Sequence, residues 1–419
     1  MKILVSAYAC NPVPSEAAYP GEAILGWNLI KQLSRFHHLT VLTREFNRIK
    51  LDRALKQRAI KNAEFVYVRL PAYMESLLSN YFGVRIYYLF WQIKAYWVAK
   101  RLIKKAMYDL FHQITFSNDW MPSFIGALLP LPFVWGPVGG GQVTPYPLLK
   151  EFALKDRIKE RSRAILQDFW RQNPFRKKCV RKAKAILVCN KESYAKIPAD
   201  TRKIYFFPVN GISLEEIRQS PKKAQGNVFR IVYAGRLDAL KGISIGIKAF
   251  SLFIADCPNS EFLIIGKGPE EGRLKSLVAK LHLKSHVQFL PWIPHYELLS
   301  ELRKADIFLF PSFRDGGGAV VVEAMASCLP VVCLNVGGPG FHIRKEWGIK
   351  IEPGKPSEVV DAIARALKQL CQDRNKRLAM GKAGRARARA FYLWDRQGNL
   401  LRDVYRKICE ENNIIRTAD

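Results

Sequence analysis

Two segments of this sequence share one order, an apolar strand, a glycine-containing turn and then a helical pattern, and that order constrains the fold most. Phe229–Tyr233 is a mostly apolar run that predicts a buried strand, with Gly235 where the strand ends, and the apolar residues after Gly242 have helical spacing. Ala305–Ser312 predicts a second buried strand that a proline ends. Alternating strands and helices favour an α/β fold with parallel sheets, which bind ligands at the carboxyl ends of their strands.

Two cations flank the turn after the first of these strands, Arg236 and Lys241. Arginine presents a planar fork of donors and lysine a compact charge, and both match phosphate oxygens. Isolated cations of this kind more often lie solvated at the surface. Their place at the carboxyl edge of a predicted sheet favours a bound anion instead.

The second strand is followed by Asp315, three glycines and a helix predicted over Ala319–Leu329. Glycines let backbone N–H groups approach a ligand, and the helix adds its positive dipole end, so this turn suits a pyrophosphate. Glu323 lies about one turn inside the helix, so the two carboxylates can contact different parts of one extended ligand, including sugar hydroxyls. The alternative is that Asp315 stabilises the helix start and Glu323 lies on a solvated face. The valines before Glu323 argue against a solvated face.

The residues of both turns resemble the motifs of the retaining glycosyltransferases of glycosyltransferase family 4, within the glycosyl transferases group 1. The resemblance covers most of the chain and is strongest from about Phe229 to Pro339. It implies the GT-B fold, in which two doubly wound Rossmann-like domains face each other across a cleft. It also implies a donor substrate, a nucleoside diphosphate sugar linked to UDP or GDP, and no further cofactor.

The resemblance assigns roles by position. Glu323 is expected to bind the ribose of the nucleotide, Arg236 and Lys241 to hold the diphosphate, and Asp315 to contact the donor sugar. Relatives usually have glutamate where this chain has Asp315, and the shorter side chain is expected to retune the donor or weaken turnover. The further residues expected to bind the donor are Gly235, Gly316, Gly317, Gly318, Gly21, Trp292 and Ile293.

The amino-terminal part repeats the order of strand, loop and helix, over Met1–Ala7 and Ala23–Leu33. Relatives carry a glycine-rich loop here that contacts the donor phosphates or the acceptor. Gly21 is therefore a candidate for donor binding and Glu22 a weaker one. Trp27 can equally be a core residue without a role in binding.

His112 aligns with the first of two positions at which the family places an active-site histidine near the acceptor. A lone histidine is more often a structural residue, and both interpretations stay open. Gly139–Gly141 follow another predicted strand, where consecutive glycines expose backbone donors. These glycines are expected to line the cleft between the domains, although a flexible turn would show the same pattern.

The length of 419 residues predicts at least two domains, each with its own core. A polar segment separates two strand-rich regions. We therefore expect an acceptor-binding domain over 1–210, a linker over 211–228 and a donor-binding domain over 229–390. Residues 391–419 are expected to form a final helix, which in the family crosses back onto the first domain.

The net charge of +31 is concentrated in residues 151–191 and favours an anionic partner. No helix-turn-helix, RNA-recognition or zinc motif accompanies it in the sequence, so specific nucleic-acid binding is not expected. Over Tyr73–Lys105 aromatic residues alternate with basic ones, a combination typical of the headgroup region of a bilayer. A core helix with a basic face would show a similar pattern. Because the sequence shows neither a signal peptide nor a long apolar run, we expect a cytoplasmic protein, with peripheral association at the inner membrane face.

The eight cysteines show no metal-ligand spacing and are expected to be reduced, and no metal site is predicted. The sequence as a whole predicts a retaining, metal-independent hexosyltransferase that moves a sugar from a nucleoside diphosphate sugar to a hydroxyl of a glycan or lipid-linked acceptor. Synthesis of a cell-surface polysaccharide or a lipid-linked glycan is the expected setting. The alternative is a catalytically silent relative that binds glycans or scaffolds an assembly.

Overall fold

The computed structural model describes residues 1–12, 20–57, 60–79, 81–198, 200–218 and 228–411. These residues form two compact units, and neither unit is continuous in the sequence. Unit 1 consists of Met1–Gly141, Leu166–Val209 and Trp394–Asp419, and unit 2 consists of Gln142–Ile165 and Asn210–Leu393.

Parallel strands form the centre of each unit. In chain order the strands are β1 (Lys2–Ser6), β2 (His38–Arg44), β3 (Ala63–Val68), β4 (Leu110–Gln113), β5 (Phe133–Val138), β6 (Ala183–Val188), β7 (Ile204–Phe206), β8 (Phe229–Ala234), β9 (Ser260–Ile265), β10 (Val287–Leu290), β11 (Ile307–Phe310), β12 (Val331–Leu334) and β13 (Gly348–Ile351). The sheet of unit 1 has the order β3-β2-β1-β4-β5-β6-β7, and that of unit 2 has the order β10-β9-β8-β11-β12-β13. The neighbouring strands pair in parallel throughout.

Helices follow most of the strands, as a doubly wound fold requires. In chain order they are α1 (Pro20–Leu33), α2 (Arg48–Gln57), α3 (Tyr81–Lys105), α4 (Phe124–Leu128), α5 (Leu154–Arg171), α6 (Pro174–Lys182), α7 (Lys191–Ala195), α8 (Leu214–Arg218), α9 (Ile243–Phe253), α10 (Glu271–Lys280), α11 (His295–Lys304), α12 (Ala319–Ala326), α13 (Gly337–His342), α14 (Pro356–Gln372), α15 (Arg374–Phe391) and α16 (Trp394–Glu411). The predicted α/β class with two doubly wound sheets is confirmed.

Burial explains why the central strands read as continuous apolar runs in the sequence. Every residue of β11 and β12 is buried, as in parallel sheets that helices cover on both faces. None of the helices over the described ranges combines the length and the apolar character that crossing a membrane requires.

The order of strands in unit 2 fixes where a ligand can bind. β8 pairs with β9 on one side and with β11 on the other, so the chain leaves β8 in one direction and later returns beside it. The carboxyl ends of β8 and β11 therefore lie at the point where the strand order reverses. Open α/β sheets bind ligands in the crevice at such a point. The two turns singled out in the sequence follow these two strands.

The division into units differs from the single boundary expected near residue 210. Residues 142–165, expected in the first domain, belong to unit 2, and Leu148, Leu149 and Phe152 lie in its hydrophobic core. Within the expected linker, α8 also belongs to unit 2, while residues 219–227 lie outside the described residues. The final helix α16 belongs to unit 1, and residues 412–419 after it lie outside the described part.

Candidate functional site

The turn after β8 presents one cation to solvent and directs another inward. Arg236 follows Gly235 and has 72% of its side-chain surface exposed, with Nε 3.4 Å from Oδ2 of Asp238. Ala239–Lys241 then form a 3₁₀ turn that ends at Gly242, whose φ of 62° suits glycine. A methyl group on Gly242 would lie 2.1 Å from the carbonyl oxygen of Pro311, so the turn and the end of β11 can approach only at a glycine.

Lys241 joins this turn to the loop after β11. Its Nζ lies 2.5 Å from Oδ2 of Asp315, and 18% of each side chain is exposed. The other carboxylate oxygen of Asp315 accepts hydrogen bonds from the amides of Gly317, at 3.1 Å, and Gly318, at 2.7 Å. Burial alone would raise the pKa of Asp315, but the charge and hydrogen bond of Lys241 and the two amides outweigh it and leave the pKa below its ordinary value.

Asp315 therefore stabilises the conformation of the glycine loop that follows it. Two of the loop amides expected to face a pyrophosphate, those of Gly317 and Gly318, point at this carboxylate instead. The structure thus shows the helix-start contact that the sequence left open as the alternative for Asp315. A contact between Asp315 and a donor sugar stays a prediction.

A buried histidine that the sequence did not single out holds the same loop from the other side. Nε2 of His342 lies 2.6 Å from the carbonyl oxygen of Gly317, and Nδ1 lies 2.8 Å from the hydroxyl of Tyr392. Because a carbonyl can only accept, Nε2 carries the proton and Nδ1 accepts from the tyrosine. Burial lowers the pKa of His342 to about 4, so the ring is neutral at physiological pH.

Glu323 lies on α12 and pairs with a histidine from the start of α11. Nε2 of His295 lies 3.2 Å from Oε1 of Glu323, and Nδ1 lies 3.9 Å from Oε1 of Glu216. The hydrogen bond to Glu323 raises the pKa of His295 above its ordinary value, against the opposing effect of burial. Burial in turn raises the pKa of Glu216. Glu323 is thus a partly buried carboxylate with a partner, as the valine run before it indicated.

The segment between β10 and α11 leads directly to His295. Its Trp292 is 61% exposed, whereas Ile293 packs partly buried against the core of unit 2. Trp292 thus exposes an aromatic side chain three residues before the histidine that contacts Glu323. The donor-binding roles of Trp292 and Ile293 stay predictions.

The site residues predicted from the amino-terminal part lie in unit 1. Gly21 is exposed, and a methyl group on it would meet nothing within 4 Å. Glu22 accepts a hydrogen bond from the amide of Phe116 at 2.9 Å, and burial raises its pKa. Trp27 is 8% exposed and belongs to the core.

His112 is fully buried in β4, and both ring nitrogens are occupied within unit 1. Nε2 lies 2.7 Å from the carbonyl oxygen of Gly136 and Nδ1 lies 2.5 Å from the hydroxyl of Tyr405. Burial lowers its pKa to about 4. This geometry leaves no ring nitrogen for a substrate, so it favours the structural interpretation over the predicted role beside the acceptor.

The cysteines and the acidic groups of the described part give no sign of a metal or disulfide site. All eight cysteines lie in the described ranges, and none forms a disulfide. Across the described ranges, no three His, Cys, Asp or Glu side chains are grouped so that they could hold a metal ion.

The region that carries the site matches a known family. Residues 214–387, which include β8, β11, α12 and both cations, match the family model of the glycosyl transferases group 1. This region belongs to that family. The predicted family is therefore confirmed over the part of the chain in which the motifs were strongest.

Relatives of the glycosyltransferase region share it over part of their length. A GDP-mannose-dependent monoacylated alpha-(1-6)-phosphatidylinositol monomannoside mannosyltransferase of Corynebacterium glutamicum is 32% identical over 176 residues, which are 40% of this chain and 45% of that protein. The aligned part thus spans less than half the length of this relative.

Solved structures match the chain over nearly its whole length. Sucrose-phosphate synthase from Thermosynechococcus elongatus superposes with a TM-score of 0.64 and 19% identity, over 98% of this chain and 100% of that chain. HepE of Anabaena, solved in complex with UDP, superposes with a TM-score of 0.61 and 17% identity, over 99% of this chain and 100% of that chain. These likenesses show the fold, which is the predicted GT-B fold.

Proposed function

We propose that this protein is a retaining glycosyltransferase that moves a sugar from a nucleoside diphosphate sugar to an acceptor hydroxyl. One observation carries the proposal. Arg236, Lys241 and the start of α12 lie at the carboxyl ends of β8 and β11, where the strand order reverses, within the region that matches the family. A diphosphate is the ligand that such a set of positive groups fits best.

The chemistry follows from where negative charge develops. As the bond between the sugar and the diphosphate breaks, charge accumulates on the departing phosphate. Arg236, Lys241 and the positive dipole end of α12 stabilise that charge, which lowers the barrier. Glu323 accepts hydrogen bonds from the ribose hydroxyls and so fixes the nucleotide. Since two fixed cations supply the charge, we propose that transfer is independent of a metal ion.

The relatives support a donor and a class of acceptor. The Corynebacterium relative is a GDP-mannose-dependent enzyme that acts on a phosphatidylinositol mannoside, and HepE was solved in complex with UDP. A UDP- or GDP-linked hexose is therefore the proposed donor. The proposed acceptor is a hydroxyl of a glycan or a lipid-linked glycan, in cell-surface glycan synthesis.

The described side chains of α3 separate its aromatic residues into two faces. Tyr87, Tyr88 and Trp91 are buried in the core of unit 1. The opposite face carries large apolar side chains at helical spacing, each 43% to 54% exposed: Ile86, Phe90, Ile93 and Trp97. The basic residues along and beyond this face are Lys94, Lys100, Arg101, Lys104 and Lys105.

We propose that this exposed face of α3 lies on an anionic membrane surface. Apolar side chains enter the headgroup boundary while lysine and arginine pair with anionic lipids, and a lipid-linked acceptor is presented at that surface. The protein would then act in the cytoplasm at the inner face of the cell membrane.

Donor turnover without acceptor tests the proposed function. Purified protein incubated with UDP- and GDP-linked hexoses should slowly release the matching nucleoside diphosphate, because a formed donor site permits leakage to water. Arg236→Ala and Lys241→Ala should reduce the release at least tenfold, about what the loss of one group that stabilises the departing charge costs. Arg365→Ala, which removes an exposed arginine of α14, is the matched control.

The outcomes separate the parts of the proposal. If the wild type and both site variants release nucleoside diphosphate at equal rates, Arg236 and Lys241 do not hold the diphosphate. If the wild type binds no nucleoside diphosphate, the proposed function as a glycosyltransferase is wrong. Once an acceptor is found, the anomeric configuration of the product, read by proton NMR, decides between retention and inversion.

A further inference from the structure

Gln142 is a buried side chain of unit 2 that lies against the glycine loop of the donor site. It is 5% exposed. A methyl group placed on Gly316 would lie 3.5 Å from its Nε2, and one placed on Gly337 would lie 3.5 Å from its Cγ. In the sequence Gln142 directly follows Gly139–Gly141, and nothing in its spacing connects it with a loop about 170 residues later.

An ionic network holds the backbone of Gln142 in this place. Nη2 of Arg163 lies 3.3 Å from the backbone carbonyl oxygen of Gln142 and 2.7 Å from Oε1 of Glu160. The same carboxylate accepts from Oγ1 of Thr144 at 2.9 Å and pairs with Nε of Arg314 at 2.9 Å. Burial alone would raise the pKa of Glu160, but Arg163 and Arg314 outweigh it and the pKa lies below its ordinary value. Glu160 therefore fixes Gln142 relative to the residue that precedes Asp315.

The carboxamide nitrogen of Gln142 has no hydrogen-bond partner among the residues that the structure describes. This Nε2 is buried, and neither of its N–H groups donates to another described residue. Most buried polar groups in folded proteins are hydrogen-bonded, and an unpaired one lowers stability. The ion network holds the backbone of Gln142, and the side chain lies beside the glycine loop with its Nε2 unbonded. Such local departures from full hydrogen bonding are expected at functional sites, where a ligand supplies the missing partner.

Asp315, in contrast to the carboxamide nitrogen of Gln142, already has partners within the protein. Its oxygens are occupied by Lys241, Gly317 and Gly318. The carboxamide of Gln142, by contrast, offers both donors and an acceptor beside the same loop. A sugar hydroxyl both donates and accepts, so it can satisfy either end of the carboxamide.

We propose that Gln142 binds a hydroxyl of the transferred sugar and so positions the donor beside the Asp315 loop. This inference rests on the proposed function, because it needs a nucleoside diphosphate sugar in unit 2. It adds a sugar-binding residue from residues 142–165, which the chain contributes to the donor-binding unit from outside the family-matched region.

Gln142→Met tests the inference, since methionine has a similar length and no hydrogen-bonding amide. Calorimetric titration with UDP, UDP-glucose, GDP and GDP-mannose first identifies the pair that the wild type binds. The variant should bind the nucleoside diphosphate with a Kd within about twofold of the wild type and the nucleotide sugar about tenfold more weakly, the cost of one lost hydrogen bond in a closed site. Its thermal midpoint should equal or exceed that of the wild type, because a buried unpaired amide has been removed.

Gln369→Ala, which removes an exposed glutamine of α14, is the matched control and should leave both affinities unchanged. An equal loss of affinity for the nucleoside diphosphate and the nucleotide sugar, or a lower thermal midpoint, would show that Gln142 only supports the loop and would overturn the inference. Unchanged affinity for the nucleotide sugar would overturn it as well. The proposed function fails separately, if the wild type binds none of the four nucleotides.

Discussion

Nζ of Lys241 and Oδ2 of Asp315 lie 2.5 Å apart and join the turn after β8 to the loop after β11. The same carboxylate holds the amides of Gly317 and Gly318. One ion pair therefore sets the shape of both turns at the strand reversal before any ligand is bound. Groups that are already in position cost no reorganisation when charge develops, which is the condition for effective electrostatic catalysis.

Truncation of the two cations of the site should have different effects on the free energy of unfolding. Lys241→Ala leaves the partly buried Asp315 without its cation and should lower the free energy of unfolding by about 2 kcal/mol, as well as weakening nucleoside diphosphate binding. Arg236→Ala removes a side chain that is 72% exposed and should weaken binding without a change in stability. Urea unfolding and calorimetric titration measure the two effects. Equal stability losses would contradict the assigned positions.

Asp315 should make the fold acid-sensitive. Its folded-state pKa lies below the ordinary value of 3.8, so its stabilising contribution is present above that value and is lost as the pH falls through the folded-state pKa. Asp315→Asn keeps an acceptor for the glycine amides but loses the charge. The variant should be less stable than the wild type at pH 7, and the difference should shrink in unfolding experiments taken down towards pH 3. A constant difference would show that the carboxylate charge is not involved.

The pair of His295 and Glu323 predicts a dependence at higher pH. The folded-state pKa of His295 lies above 6.5, so the pair stabilises the fold fully below pH 6.5, and that contribution is lost as the pH rises through the folded-state pKa. Glu216 also faces this ring, at 3.9 Å. Glu323→Gln should lower the pKa of His295, followed by NMR of the imidazole protons, and weaken nucleoside diphosphate binding about tenfold.

Glu297→Gln, on the same helix as His295, is the matched control for that experiment and should change neither quantity. If Glu323→Gln leaves the titration of His295 unchanged, the two side chains are not paired in solution. If it leaves nucleotide affinity unchanged, Glu323 does not contact the ribose.

Membrane attachment should depend on the exposed face of α3. The double variant Ile93→Glu with Trp97→Glu should reduce binding to vesicles rich in phosphatidylglycerol at least tenfold, because two apolar contacts are replaced by charges that anionic lipid repels. Co-sedimentation measures the binding, which should also weaken with added salt. Leu252→Glu changes an equally exposed apolar residue on α9 of unit 2 and should bind as the wild type does. A similar loss in both variants would locate the membrane contact elsewhere.

His112 should contribute to stability and not to donor binding. Its folded-state pKa of about 4 lies below the ordinary 6.5, so its contribution is present above pH 6.5 and is lost as the pH falls. The stability difference between wild type and His112→Ala should therefore shrink by about 2 kcal/mol between pH 7.5 and pH 5 in urea unfolding. Nucleoside diphosphate affinity should be unchanged in the variant. A loss of nucleoside diphosphate affinity with full stability would contradict the structural interpretation and show that His112 acts on donor binding.

The strands and turns of the site were predictable because parallel strands buried on both faces leave continuous apolar runs. β8 and β11 were found in this way, and the glycine turns and cations after them followed. Helix ends were less predictable. The helix expected to reach Leu329 ends at Ala326, because Cys328 adopts a φ of 62°, a conformation that sequence spacing does not indicate for cysteine.

The partners within the site could not be predicted, since they depend on which distant segments the fold brings together. His295 and Glu216 meet beside Glu323 although neither lies in a motif with it. His342, on α13, holds the loop at Gly317 although it lies in none of the motifs found in the sequence. Side-chain direction and long-range packing decide these contacts, and residue spacing carries information about neither.

The interleaved order of the two units has a consequence for how the chain is made. Unit 2 needs residues 142–165 as well as residues 210–393, whereas unit 1 is complete only when α16, at Trp394–Glu411, has been added. During translation, unit 1 begins first, but its last segment is synthesised only after all segments of unit 2 have been made. Chains cut near residue 209 would yield two fragments, each lacking a segment that the other carries, so splitting the gene there should not give independently folding halves.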